Sequence, residues 1–428
     1  MRFGRLLAAG VFMAGIALSQ TPAMAQTTVN FWQFFTGDTD VKAWRDTIAK
    51  FEAANPDIKI NMELVPWSEQ QQRFVTALAT GGLPDISMLG NNVVAQFQAT
   101  GSLAPLDDYV AAYEASSGIK VKDDMWPGDQ GYYILDGKIW ASPIAVETRA
   151  LFYRKDLFRE AGLNPDDPPD TWEELRDAAA ALSKKGAGKY YGIALPMSIT
   201  YNTVQNFMST YLGYGARMLN DDGKCGFNTQ NFKDALTVYT DIYKTGGTHP
   251  DAPTMDGDTF RRGFADGGYA MHIQNASLLK QLQDEGAPFV NDVGIVKIPA
   301  GPVNRTGFLG GWPLVLWEAS TVKEAAAKFI FFATHGEPLR DMAVASGFLP
   351  GSVSLAKGAP WDAAPYPLFV DQLADARPYQ YPSQAIAEMG QLEVDAIQKA
   401  VQAVALGQQS VDDATTQLCA TIDDVLSR

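Results

Sequence analysis

GKIWASPIAVETRALFYRKDLF, residues 137–158, decides how the rest of the chain is read. It opens on a turn dipeptide, Asp136-Gly137. Pro143 does not fit a helix interior, and it restricts Ser142 to extended backbone. From Ile144 to Tyr153 the run is rich in apolar and β-branched residues, as in a buried strand, yet Glu147 and Arg149 stand inside it. Unpaired charges are costly to bury. One reading is that the chain crosses here between two lobes, with Pro143 starting the crossing and both charges lining a cleft. The other is a surface-edge strand whose two charges pair with each other. Side chains two apart in an extended segment project to one side, so Glu147 and Arg149 should face one region.

The first 25 residues read as a targeting segment: Arg2 and Arg5, an apolar core from Leu6 to Leu18 too short to span a bilayer, and a small-residue cleavage site at Ala23-Met24-Ala25. Cleavage after Ala25 would release a chain starting at Gln26 into the periplasm. Loss of two arginines and no acids takes the net charge from −15 to −17. So acidic a surface repels nucleic acid and anionic membranes, and a monomer is expected. Cys225 and Cys419 are the only cysteines, and both a disulfide and two free thiols are compatible with an oxidising space. A mature chain of about 400 residues is too long for one core, so two domains are expected.

Strands and helices alternate, which argues for α/β layers. Val29–Phe35 is an apolar strand, and Asp40 is placed to cap the helix that follows. Ile86–Leu89 is a second strand. The two end in polar residues, Gln33 to Asp38 and Gly90 to Asn92, and ligands of open α/β sheets bind beyond the carboxyl ends of strands. Ordinary turn chemistry also accounts for Asn91 and Asn92. Thr171 with Glu174 forms a capping box. The helix from Thr200 to Leu212 carries Gln205 toward a possible cleft, and the strand Tyr269–Ile273 leads into Gln274 and Asn275. Val293–Ile298 reads as a second crossing, and Gly310-Gly311-Trp312 as flexible glycines presenting one ring.

Catalytic parts are missing. The three histidines have no metal-ligand spacing, there is no G-x-S-x-G elbow or G-x-G-x-x-G turn, and no phosphate loop stands at Gly186–Lys189. No cofactor and no metal are expected. Amides, a few charges and tryptophan rings suit a sugar, which has apolar C–H faces and a rim of hydroxyls. A carboxylate pair for glycoside hydrolysis keeps a secreted glycoside-active enzyme as the rival class.

Ordered segments spanning the mature chain resemble the extracellular solute-binding proteins of ABC importers, in the sugar and polyol branch. They include KFEAANPDIKINMELVPW (50–67), LATGGLPDISML (78–89), residues 136–163, FRRGFADGGYAM (260–271) and TGFLGGWPLVLWEAS (306–320). The resemblance implies the periplasmic-binding-protein fold: two α/β lobes joined by a multi-segment hinge around a central ligand cleft. It implies a carbohydrate or polyol ligand, a membrane permease as partner, and no catalysis. The expected division is residues 26–141 with 299–334 in one lobe, and 142–298 with 335–428 in the other. It places Gln33, Asp38, Asn91 and Asn92 on cargo-facing loops, makes Glu147 a cleft carboxylate, and makes Trp312 a stacking ring with Gly311 beside it. Arg377 matches an arginine of some relatives, and Asp85 a structural turn acceptor. Arg149 is a departure, since relatives often have a small residue there. Ser277 stands near where many have a tryptophan, which argues for a small cargo. With Arg149 paired to Glu147 the cargo is neutral; with Arg149 free it is an anionic sugar. The neutral reading is preferred.

Overall fold

A computed structural model describes Met1 and residues 26–67, 69–199, 201–377 and 387–427. The expected targeting segment lies outside the described residues apart from Met1. Among the described residues, no helix is long and apolar enough to cross a membrane.

Among the described residues, twelve strands form two main sheets and a small hairpin. The first sheet contains β1 (Thr27–Gln33), β2 (Ile58–Leu64), β3 (Ile86–Met88), β6 (Ala141–Glu147), β11 (Gly310–Leu316) and β12 (Leu349–Pro350), in the order β12-β6-β11-β3-β1-β2. Strands β1, β2 and β3 run parallel, while β6, β11 and β12 pair antiparallel with their neighbours. The hairpin is β4 (Ile134–Leu135) with β5 (Lys138–Ile139). The second sheet, β10-β7-β9-β8, holds β7 (Ala150–Arg154), β8 (Tyr191–Ala194), β9 (Tyr269–Gln274) and β10 (Val293–Val296).

The run from Ile144 to Tyr153 is therefore two strands in two sheets. The expected start of the crossing, at Pro143, is corrected. The ladder of β6 with β11 continues to Glu147 opposite Gly310, and the chain leaves the first sheet only at Thr148-Arg149. A proline lacks the amide a central strand needs, but Pro143 stands opposite Pro313, beside a register shift at Trp312/Pro313 that absorbs the missing bond. Gly310 and Gly311 likewise lie within β11 rather than in a loose loop. The expected lobe limits also move. Residues 142–147 belong to the first sheet. So does β12, and the helix Gly336–Ser346 is tied to the helix Asp38–Ala54 by a Lys50–Asp341 ion pair.

Local signals act as their chemistry predicts. Thr171 and Glu174 cap each other's backbone amides. Asp85 is a structural acceptor, taking the Asn30 amide at 2.8 Å and the Ser320 hydroxyl at 2.6 Å. Asp40 does not cap its helix, which starts at Asp38 behind Gly37. Cys225 and Cys419 form a disulfide across 194 residues, fastening the last helix, Val411–Leu426, to the second lobe. Closing so long a loop limits the unfolded chain.

The two crossings meet at one side chain. Gln372, on the helix Tyr366–Leu373, is 2% exposed. Its amide nitrogen donates to the Thr148 hydroxyl at 3.1 Å and to the Arg149 carbonyl, and its carbonyl accepts the Ile298 amide at 2.8 Å. Replacing Gln372 with Met keeps the bulk and strands those buried groups. Gln372→Met should lower stability by about 2–3 kcal/mol in chemical denaturation, the scale of lost buried hydrogen bonds. Wild-type stability in that variant would contradict the role given to Gln372.

Candidate functional site

A cavity of about 640 Å³ lies between the lobes, within the size range of small-molecule sites. The first lobe supplies the loop after β1 and the first turn of the next helix (Phe34 to Asp40), Trp67, Trp312 and Phe348; the second supplies Asn202, Gln205, Arg261, Gln274, Asn275 and Lys280; Glu147 and Arg149 come from the passage between them.

Glu147 ends β6, and Arg149 stands two residues on, immediately before β7. Both are buried, 4% exposed. Glu147 Oε1 is 3.7 Å from Arg149 Nη2. Asn275 Nδ2 donates to the other carboxylate oxygen, and Arg149 Nη2 donates to Gln205 Oε1. Asn202 also donates to Gln205 Oε1, at 3.2 Å. Gln274, the last residue of β9, lies opposite Ala150 and accepts the Asn275 amide at 2.9 Å. The Arg149 guanidinium carbon lies 5.7 Å from the centre of the Phe308 ring, and among the described residues its buried Nε has no hydrogen-bond partner. Low local dielectric makes such a network strong when paired and costly when broken.

The opposite wall is aromatic. Trp312 is half-buried, with Phe35 edge-on at 5.1 Å and Phe34 and Phe348 at 6.4 Å. The cavity is also lined by charges from both lobes: Asp38 and Asp40 of the first, and Arg261, Arg262 and Lys280 of the second.

The cavity thus collects Asp38, Glu147, Arg149, Gln205, Gln274, Asn275 and Trp312. It does not collect five other candidates. Gln33 folds back on its own loop, donating to the Phe35 carbonyl at 2.8 Å and accepting the Phe35 amide at 2.6 Å. Asn91 is buried and donates to the Leu309 carbonyl at 3.4 Å. Asn92 is buried beside Gly90, where an added Cβ would meet its Oδ1 at 2.5 Å. Gly311 faces the first lobe's interior: a Cβ there would lie 2.7 Å from the Tyr133 hydroxyl and 3.0 Å from the Ala145 carbonyl. The Arg377 guanidinium donates to the Ala374 carbonyl at 3.1 Å and the Ala376 carbonyl at 2.9 Å. Polar residues near strand ends were thus a good guide to the neighbourhood and a poor guide to direction.

Sequence reasoning missed Asp40, Arg261, Phe35 and Phe348 in the cavity wall. Arg261 sits in FRRG, which reads as the polar face of an amphipathic helix. Its Nε donates to Gln281 and its Nη2 to the Ser277 hydroxyl at 3.1 Å.

Two α/β lobes, a double crossing and a polar cavity with one aromatic wall define a hinged binding protein. The family model of bacterial extracellular solute-binding proteins matches residues 37–335, and the chain belongs to that family. A putative binding protein of Brucella abortus is 30% identical over 352 residues, 82% of each chain. The mannitol-binding protein of Pseudomonas aeruginosa is 28% identical, over 71% of this chain and 69% of its own. An ABC transporter solute-binding protein from Thermotoga lettingae, solved with α-D-tagatose, superposes with a TM-score of 0.83 at 24% identity, covering 94% of this chain and 100% of its own.

Removing one member of a buried ion pair leaves its partner uncompensated, at a typical cost of about 3–5 kcal/mol. Arg149→Met should destabilise on that scale, and Glu147→Gln added to it should restore most of the loss. Chemical denaturation of the two single variants and the double measures this; strictly additive losses would show that the two charges do not interact.

Proposed function

We propose that the protein captures a neutral sugar, small glycoside or polyol in the interlobe cavity and delivers it to the membrane permease of an ABC importer. The observation that carries the reading is the convergence of the Glu147–Arg149–Gln205–Asn275 network and the Trp312 ring on one cavity. Carboxylate and amide oxygens accept hydroxyl hydrogens, amide nitrogens donate to hydroxyl oxygens, and the ring covers a C–H face. Similarity to a mannitol-binding protein supports a polyhydroxylated cargo. Commitment of Arg149 to Gln205 and Glu147 favours the neutral cargo over a carboxylated or phosphorylated one. Ser277 is spent on holding Arg261, so the large stacking surface of an oligosaccharide site is missing at that position, which favours a small cargo. Binding without turnover, as a monomer in the periplasm after cleavage behind Ala25, and with no role for nucleic acid, completes the reading.

Calorimetric titration with a panel of neutral and anionic sugars and polyols, with product analysis of the same mixtures, tests it. Binding of neutral members without product is expected, and Trp312→Ala should weaken it by about 1–3 kcal/mol, the scale of a lost aromatic anchor. Turnover of a glycoside, binding of anionic sugars alone, or unchanged affinity in the Trp312 variant would each count against it.

A further inference from the structure

Not every charge that lines the cavity belongs to an ion pair among the described residues. Lys280 pairs with Asp284 on its own helix, and Arg149 pairs with Glu147. Asp40 and Arg261 differ. Asp40 projects from the first lobe, on the helix after β1; Arg261 projects from the second, on the helix Gly257–Ala265. Both are half-buried and line the same cavity, and among the described residues neither belongs to an ion pair. Burial raises the Asp40 carboxyl above its usual range and lowers the Arg261 guanidinium below its own. Each is the strongest charged neighbour of the other, ahead of Asp258 for Arg261 and of Asp284 and Lys280 for Asp40. Two partly buried opposite charges, one from each lobe, thus line one cavity with no ion pair between them among the described residues.

The surroundings hold Arg261 ready. Gln281 and Ser277, one turn apart on the helix Ser277–Asp284, fix two edges of its guanidinium. That same helix touches the first lobe: a Cβ on Gly347, which ends the helix Gly336–Ser346 with a φ of 73°, would lie 2.5 Å from Lys280 Cβ. The two lobes therefore already touch at the helix that carries the residues holding Arg261. Contact between desolvated opposite charges gains more than contact in water.

We propose that Asp40 and Arg261 form a charge latch across the cleft, acting as positioning residues that favour the closed lobes without touching the cargo. The latch rests on the two-lobe fold and not on the identity of the cargo. Its contribution adds to whatever cargo supplies, because a hinged protein samples closed states before it binds.

The test is made on cargo-free protein. Glu69 and Gln283 are exposed residues of opposite lobes, and the described chain has no free thiol, so Glu69→Cys with Gln283→Cys accepts a dye pair for single-molecule energy transfer. In about 20 mM salt the closed fraction should fall at least about 3-fold in Asp40→Asn and in Arg261→Gln, and no further in the double variant. The charge-swapped protein, Asp40→Arg with Arg261→Asp, should recover a closed fraction near wild type, which a merely structural role would not give. About 0.5 M salt should lower the wild-type closed fraction only in part, because desolvated pairs are screened less than exposed ones. Equal closed fractions in wild type and single variants, additive losses, or a swap that fails to recover while retaining its folded spectrum would each overturn the latch.

Discussion

The molecule depends on a passage of three residues, Glu147-Thr148-Arg149, that takes the chain from one sheet to the other. Its backbone is held by Gln372, which also holds the returning crossing at Ile298. Its two charged side chains are buried and meet each other, Gln205 and Asn275. The hinge and the cavity floor are therefore the same residues. A ligand hydroxyl placed at Glu147 or Asn275 acts directly on the segment about which the lobes turn.

This economy explains why charges occur in an otherwise apolar run. A strand interior rejects them, but Glu147 is the last residue of one strand and Arg149 lies just before the next. Each is buried, and each has a partner of opposite charge beside it. The opposite wall follows the same logic through Trp312, which sits at the register shift that accommodates Pro313 in β11. Glu147, Arg149 and Trp312, each at a break in regular structure, all line the cavity.

Much of this was legible in the sequence. Alternating strands and helices, the capping box at Thr171, and two charges inside an apolar run announce α/β lobes and a crossing. Glu147, Arg149, Gln205, Gln274, Asn275 and Trp312 were named and do line the cavity. The crossing was placed at Pro143, too early, because the partner strand's irregularity beside Pro313, which lets β6 run on to Glu147, cannot be seen without the pairing. Gln33 and Gly311 were misread because position in a loop or strand does not fix which way a side chain or a bare Cα faces. Arg261 and Gln372 carry no local signal at all. Their roles come from what the fold brings together, with Arg261 lining the same cavity as Asp40 from about 220 positions away and Gln372 reaching Thr148 from 224 positions away.

The central claim is that the cavity is a hinged trap whose floor is the interlobe passage. Small-angle scattering with tryptophan fluorescence, on the purified protein before and after saturation with a neutral sugar or polyol that it binds, tests this most directly. The account predicts a smaller radius of gyration on binding, together with a change in emission as the Trp312 wall loses water. Saturable binding with no change in the radius of gyration would contradict it.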